Sequence, residues 1–156
     1  ADHAGFELKT SLMESVRALG HDVQDCGAFE LEQGDDYPQI IASAARQLSK
    51  DWEEGLESRA ILLGASGQGE AMMANRYKGV RAAVYYGGNT EQTDASGHSF
   101  DMISSVRQHN NANALSRGAR FLSQEEAQRA VKKWLETPFS GEERHVRRVA
   151  NVDTQA

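Results

Sequence analysis

The residues with the most evident chemical capacity lie in one short run, Gly64-Ala65-Ser66-Gly67-Gln68-Gly69-Glu70. Its glycines let the backbone turn tightly and bring N–H groups close to a ligand oxygen, at the start of a segment with helical character. The spacing excludes two common phosphate loops. No Gly-Lys-Ser/Thr follows, and the Gly-x-Gly-x-x-Gly order of a dinucleotide site is absent. Taken alone, the run reads more simply as a strand-to-helix turn in which Glu70 complements the helix dipole.

Two further groups have chemical potential. In Arg144-His145-Val146-Arg147-Arg148, Arg144 and Arg148 share a helix face and can clamp a phosphate with bidentate hydrogen bonds. An isolated arginine run of this kind is more often a solvated basic face. His109 precedes Asn110, Asn111 and Asn113, where it suits either turn chemistry or acid–base transfer near neutral pH. The five histidines show no His-Glu-x-x-His spacing, and the single cysteine, Cys26, cannot build a thiolate site, so no metal is expected. Cys26 reads as a small buried hydrophobe, and Trp52, Trp134, Met72 and Met73 as packing residues.

The elements that position these groups follow from apolar periodicity. Phe6, Leu8, Leu12, Met13, Val16 and Leu19 keep a helical stride closed by Gly20. Residues 21–26 suggest a short strand, followed by an acidic loop to Asp36 and a helix opened by Pro38 with Ile40, Ile41, Ala44, Ala45 and Leu48 inward. Residues 59–63 and 80–85 read as strands, flanking a helix that runs through Met72, Met73 and Tyr77. Residues 87–97 form a polar, glycine-containing loop, and 99–108 a helix. Ala114-Leu115 and Phe121-Leu122 suggest the pieces of a last strand. Ser123 to Glu126 is a capping box opening a helix to Leu135, Pro138 breaks it, and residues 142–152 form a final arginine-rich helix. Strands alternating with helices, and nearly continuous in apolar residues, predict a doubly wound α/β domain. Its form is a flavodoxin-like or Rossmann-like three-layer sandwich with a mainly parallel sheet and a C-terminal helical extension. In such a sheet, ligands bind beyond the carboxyl ends of the strands, where the loops hold Asp2 and His3, Asp36 and Tyr37, Ser66 to Glu70, and His109 to Asn113.

At 156 residues the chain suits one domain, 1–156. The net charge of −6 argues against non-specific nucleic-acid binding, and no apolar run is long enough to span a membrane. One thiol fits a reducing cytoplasm. Ala1-Asp2-His3-Ala4-Gly5 reads like the loop after a strand, and the expectation is that this first strand lies upstream of Ala1.

Together these motifs resemble the type B ribose-5-phosphate and galactose-6-phosphate isomerases. The ordered set is Asp2-His3-Ala4-Gly5, Asp36-Tyr37-Pro38, Gly67-x-Gly69 with Ala74-Asn75, Arg107-x-His109-Asn110, and Arg144-His145 through Arg148. Some members of that family carry a cysteine base where this chain has Gly64. This sequence is similar to the subgroup with Gly-x-Ser-Gly-x-Gly-Glu.

The resemblance implies Glu70 as the base and Ser66 as the hydroxyl that helps hold the intermediate. It implies His109 and Asp2 in ring opening, and Arg144, Arg148, Arg120 and His3 at the phosphate. Asp36, Tyr37, Gly67, Gly69 and Asn110 complete the binding set. It further implies a homodimer, or a tetramer, with His109 and the C-terminal arginines contributed across the interface, and a reaction without cofactor. The substrate implied is ribose 5-phosphate, with galactose 6-phosphate or allose 6-phosphate as alternatives because the 87–100 segment is long. A non-catalytic flavodoxin-like binding module is the reading from another class.

Overall fold

Leu62 and Leu63 are adjacent in the chain yet buried in different cores, as the pleat of a strand covered on both faces requires. They lie in β1 (Ala60–Gly64), one of three parallel strands in the computed structural model, which describes residues 1–88, 92–93 and 96–154. The central strand is β5 (Ala114–Gly118), buried at every position, with β1 on one side and β2 (Ala82–Tyr85) on the other. Ala114 aligns with Ala60 and Ala82, so the strands start level and their carboxyl ends share one rim.

Helices cover both faces. On one, Leu12 and Val16 of α1 (Phe6–Ala18), Ile103 of α4 (Met102–Asn110), and Val131 and Trp134 of α5 (Gln124–Glu136) pack with Leu63 and Leu115. On the other, Ile41, Ala45 and Leu48 of α2 (Tyr37–Glu53) and Ala74 of α3 (Gln68–Ala74) pack with Leu62 and Ala114. This is the expected three-layer arrangement. The last helix, α6 (Glu143–Asp153), rests against α4, so the C-terminal helical extension is also present.

Local sequence explains the helix ends. Pro38 sits in the first turn of α2, where its missing N–H is not needed. Asp101 caps α4 by accepting from the Ser104 amide, and Ser123 with Glu126 closes the capping box of α5. Gly20, at φ +90°, ends α1 as expected.

Several expectations need correction. Residues 21–26 do not form a strand. A cavity of about 940 Å³ lies between this segment, α1, α2 and β1, and no described strand is there to pair with it. Lys9 Nζ tethers it by donating to Asp25 at 2.8 and 2.9 Å, and just beyond its end the Ala1 amine donates to the Gly27 carbonyl and the Ala28 amide to that of Ala1. Phe121 and Leu122 are not strand residues. β5 stops at Gly118, and the Phe121 amide bonds back to the Gly118 carbonyl in a turn that leaves the Phe121 ring exposed.

The helix α3 ends at Ala74, short of Tyr77, and Met72 on it is exposed rather than packed. Helix α4 begins at Met102, after the Asp101 cap, because Ser99 and Phe100, expected in that helix, form β4 (Ser99–Phe100), which pairs antiparallel with β3 (Gln92–Thr93) in the expected loop. Residues 89–91 and 94–95 of that loop lie outside the described residues. Among the described residues, no helix is long and apolar enough to cross a membrane.

Candidate active site

Glu70 stands in the first turn of α3, where the chain leaves β1, and is only 4% exposed. Three glycines make that placement possible. A Cβ at Gly64 would lie 1.8 Å from Glu70 Oε1, so the carboxylate fills the space that a side chain would need. Gly67 adopts φ +79°, and a Cβ there would meet the Arg117 backbone at 2.7 Å, while Ser116 Oγ donates to the Gly67 carbonyl at 2.6 Å. The loop is thereby clamped onto β5. Gly69 lies under the Tyr37 ring, which a Cβ would strike at 2.6 Å. Burial pushes the Glu70 carboxyl above its ordinary pKa and the nearby Asp2 charge adds to this, while the Glu70 and Gly67 amides act in the opposite sense. A carboxyl tuned upward suits a group that must both accept and return a proton.

Asp2 reaches the same rim from a different segment. Its amide donates to the Leu63 carbonyl, and its Oδ1 accepts from the Ala4 and Gly5 amides at 3.0 and 3.1 Å. Gly5 is obligatory here, since a Cβ would come within 2.6 Å of Leu63 Cβ. His3 follows, and both its amide and its ring Nδ1 bond to Asp35 Oδ1, at 3.1 and 2.6 Å. Ser66 is half-buried and its Oγ accepts from the Gln68 amide at 3.3 Å. Arg120 is brought alongside by its backbone, which donates to the Ala65 carbonyl, and its side chain is exposed without an ion pair among the described residues.

Asp36 occupies the N-cap of α2 in an extended conformation, makes no side-chain cap bond and is exposed. The preceding residue, Asp35, turns to His3 instead, because successive side chains of an extended stretch point to opposite sides. Asp35 is not legible in the sequence: two adjacent aspartates before a proline both suit a helix cap. Burial pushes the Asp35 carboxyl up, but hydrogen bonds from the His3 ring and amide and the His3 charge outweigh it, leaving the carboxyl below its ordinary range. Asp2, His3 and Asp35 have potential ligand atoms within 4.8 Å of one another, the one such set found among the described residues. The His3–Asp35 bond already engages one ring nitrogen and one of those oxygens.

His109 belongs to a second group. Its Nδ1 is 3.3 Å from Ser105 Oγ, its ring meets the Phe100 ring edge-on at 5.1 Å, and it lies 4.5 Å from the His145 ring. His145 is buried against Ser140 Oγ at 2.7 Å, and burial, then the adjacent His109, lowers its pKa. It carries no sequence signal beyond its place among the arginines. Arg144 is exposed and bonds to Glu142 at 2.8 Å; Arg148 is exposed with no ion pair among the described residues, and Asn110 is exposed at the end of α4. No hydrogen bond or ion pair among the described residues joins this group to the Asp2–Glu70 group. The structure thus assembles Asp2, His3, Tyr37, Ser66, Gly67, Gly69, Glu70 and Arg120 at one rim. His109, Asn110, Arg144 and Arg148 lie on the α4–α6 pair.

A parallel α/β sandwich that gathers a buried, upward-shifted carboxyl, Asp2 and the exposed Arg120 at its strand ends belongs to the doubly wound class, in which ligands bind at that rim. The family model for ribose/galactose isomerases matches residues 1–152, and the chain belongs to that family. It is 36% identical over 149 residues to ribose-5-phosphate isomerase B of Mycolicibacterium paratuberculosis, covering 96% of this chain and 84% of that one. Among solved structures it resembles ribose-5-phosphate isomerase B from Mycoplasma genitalium with bound ribulose-5-phosphate, at TM-score 0.83 and 29% identity, covering 99% of this chain and 91% of the other. The Thermotoga maritima enzyme of the same name gives TM-score 0.77 at 34% identity, with 98% and 93% covered.

Proposed function

We propose that this chain interconverts ribose 5-phosphate and ribulose 5-phosphate by moving a proton between C2 and C1. The observation that carries the reading is Glu70, buried against Gly64 with its carboxyl shifted upward and Asp2 at the same rim. His109 and Asp2 open the furanose ring by acid–base transfer. Glu70 takes the proton from C2 and returns it to C1, and the cis-enediolate between these steps is held by Ser66 and the Gly67 to Gly69 amides. Arg144, Arg148 and Arg120, with His3, bind the phosphate, and that remote binding energy positions the reacting carbons. Tyr37 and Asn110 border the sugar.

The two residue groups are united by homodimerisation, which sets His109, Asn110, Arg144 and Arg148 of one subunit beside Glu70 of the other. The absence of any hydrogen bond or ion pair between them among the described residues, and the exposed Arg148 with no ion pair among those residues, support that arrangement. The test is interconversion measured across ribose 5-phosphate, allose 6-phosphate and galactose 6-phosphate. The expected result is the highest kcat/KM on ribose 5-phosphate. Turnover confined to a six-carbon substrate would reassign it, and no turnover on any of the three would reject the isomerase reading.

A further inference from the structure

We infer that Asp35 is the positioning residue of the phosphate-binding end of this site, fixing the His3 ring so that its Nε2 edge serves the substrate. The inference rests on the isomerase reading above. Asp35 Oδ1 receives both the amide and ring Nδ1 of His3, at 3.1 and 2.6 Å, so backbone and side chain are locked to one oxygen. A ring tethered at both its amide and its Nδ1 has little rotational freedom left, and the entropy of orienting it is spent on folding rather than on binding. Because a carboxylate can only accept, the proton in this bond belongs to Nδ1, which settles the tautomer of the neutral ring. Nε2 has no protein partner among the described residues and is the remaining polar edge.

Burial sharpens the assignment. The Asp35 side chain is 9% exposed and that of His3 is 24% exposed, so the carboxylate lies beneath the ring rather than competing with it for solvent. Asp35 Oδ2 is buried without a hydrogen-bond partner, leaving His3 as the carboxylate's hydrogen-bonding and ionic partner. A buried carboxylate that spends both bonds on one neighbouring residue is a costly arrangement for stability alone. It is explained if the orientation of His3 is what the site requires. His3 adjoins Asp2, whose charge is felt at Glu70, so the dyad borders the reacting end as well as the phosphate.

The experiment is a double-mutant cycle on the full chain with Asp35→Ala and His3→Ala, read in steady-state kinetics with ribose 5-phosphate and in titrations with inorganic phosphate. The expected result is a rise of about tenfold in KM and in the phosphate Kd for Asp35→Ala, with kcat within about threefold. In the His3→Ala background the same substitution should add no further loss. Asp35→Asn keeps the volume and a neutral acceptor, should fall between wild type and Asp35→Ala, and carries the test if the truncation unfolds the chain. Equal, additive losses from Asp35→Ala with and without His3 would overturn the inference, because a merely structural aspartate acts regardless of the ring. So would an unchanged phosphate Kd in both Asp35 variants. The phosphate titration needs no turnover, so failure of the isomerase reading would show as absent activity with the cycle still measurable.

Discussion

The Glu70 carboxylate occupies the place of a side chain at position 64: a Cβ there would lie 1.8 Å from Oε1 and 2.2 Å from Cδ. The two positions are mutually exclusive. A chain of this shape can carry a side chain at the end of β1 or a buried glutamate six residues later, not both in these positions. Gly64→Cys should therefore fail to add a second base. It should destabilise the protein by about 1–3 kcal/mol, as overpacking does. The double variant Gly64→Cys/Glu70→Ala should recover most of the lost thermal stability. Unfolding midpoints for the two variants check this, and equal midpoints would mean that the carboxylate moves aside freely.

Glu70→Gln should lower kcat by about 10²–10⁴-fold, the range for losing a general base. Its effect on stability has a defined sign. The folded carboxyl is shifted above its ordinary value of 4.5, chiefly by burial, so the native state favours the protonated form. That contribution is fully present below about pH 4.5 and is lost as pH rises through the folded pKa. At pH 8 the variant, which has no charge to bury, should be more stable than wild type, with the advantage shrinking in acid. Denaturant unfolding at pH 4 and pH 8 measures it.

Mixing two inactive variants tests whether sites are shared. In a hybrid dimer of Glu70→Gln with Arg144→Ala/Arg148→Ala, one site combines an intact Glu70 with an intact arginine pair only if these come from different subunits. Random re-association makes half of the dimers hybrid with one good site each, so about a quarter of wild-type activity should return. If each chain completes its own site, the mixture stays as inactive as its parents. Activity after co-refolding, against separately refolded controls, decides.

Asp101 holds the start of the helix that carries His109. Burial pushes its carboxyl up, but bonds from Lys133 and from the Ser104 amide and hydroxyl bring it down to about 2 from 3.8. Asp101→Ala should cost about 1 kcal/mol through the lost cap. With a depressed folded pKa, the stabilisation is present above pH 3.8 and disappears as pH falls toward 2. The stability gap between variant and wild type should therefore be constant near neutrality and close in acid, as a pH series of thermal midpoints would record.

Much of the scaffold is legible in the sequence because it depends on local pattern. Leu62-Leu63 and Ala114-Leu115 announce strands buried on both faces, Ser123 to Glu126 announces a helix start, and the glycines of 64–69 announce a tight strand-to-helix turn. The errors fall where pairing or packing decides. Residues 21–26 suggest a short strand but have no described partner strand, and Phe121-Leu122 are apolar but follow the end of β5, where the chain turns. Strand pairing is a non-local property, so a short stretch does not by itself record whether a partner lies beside it.

The candidate site divides in the same way. The sequence alone determined that Glu70 opens a helix after a glycine-rich turn, and that Arg144 and Arg148 share a face. Only the tertiary structure decided that Glu70 is buried and shifted upward, because the packing against Gly64 and the charge of Asp2 come from segments up to 68 residues away in the chain. It also decided that Asp35, not Asp36, meets His3. In an extended stretch the choice between neighbours rests on which side faces the rest of the protein, and that is fixed by where the chain docks rather than by what it contains.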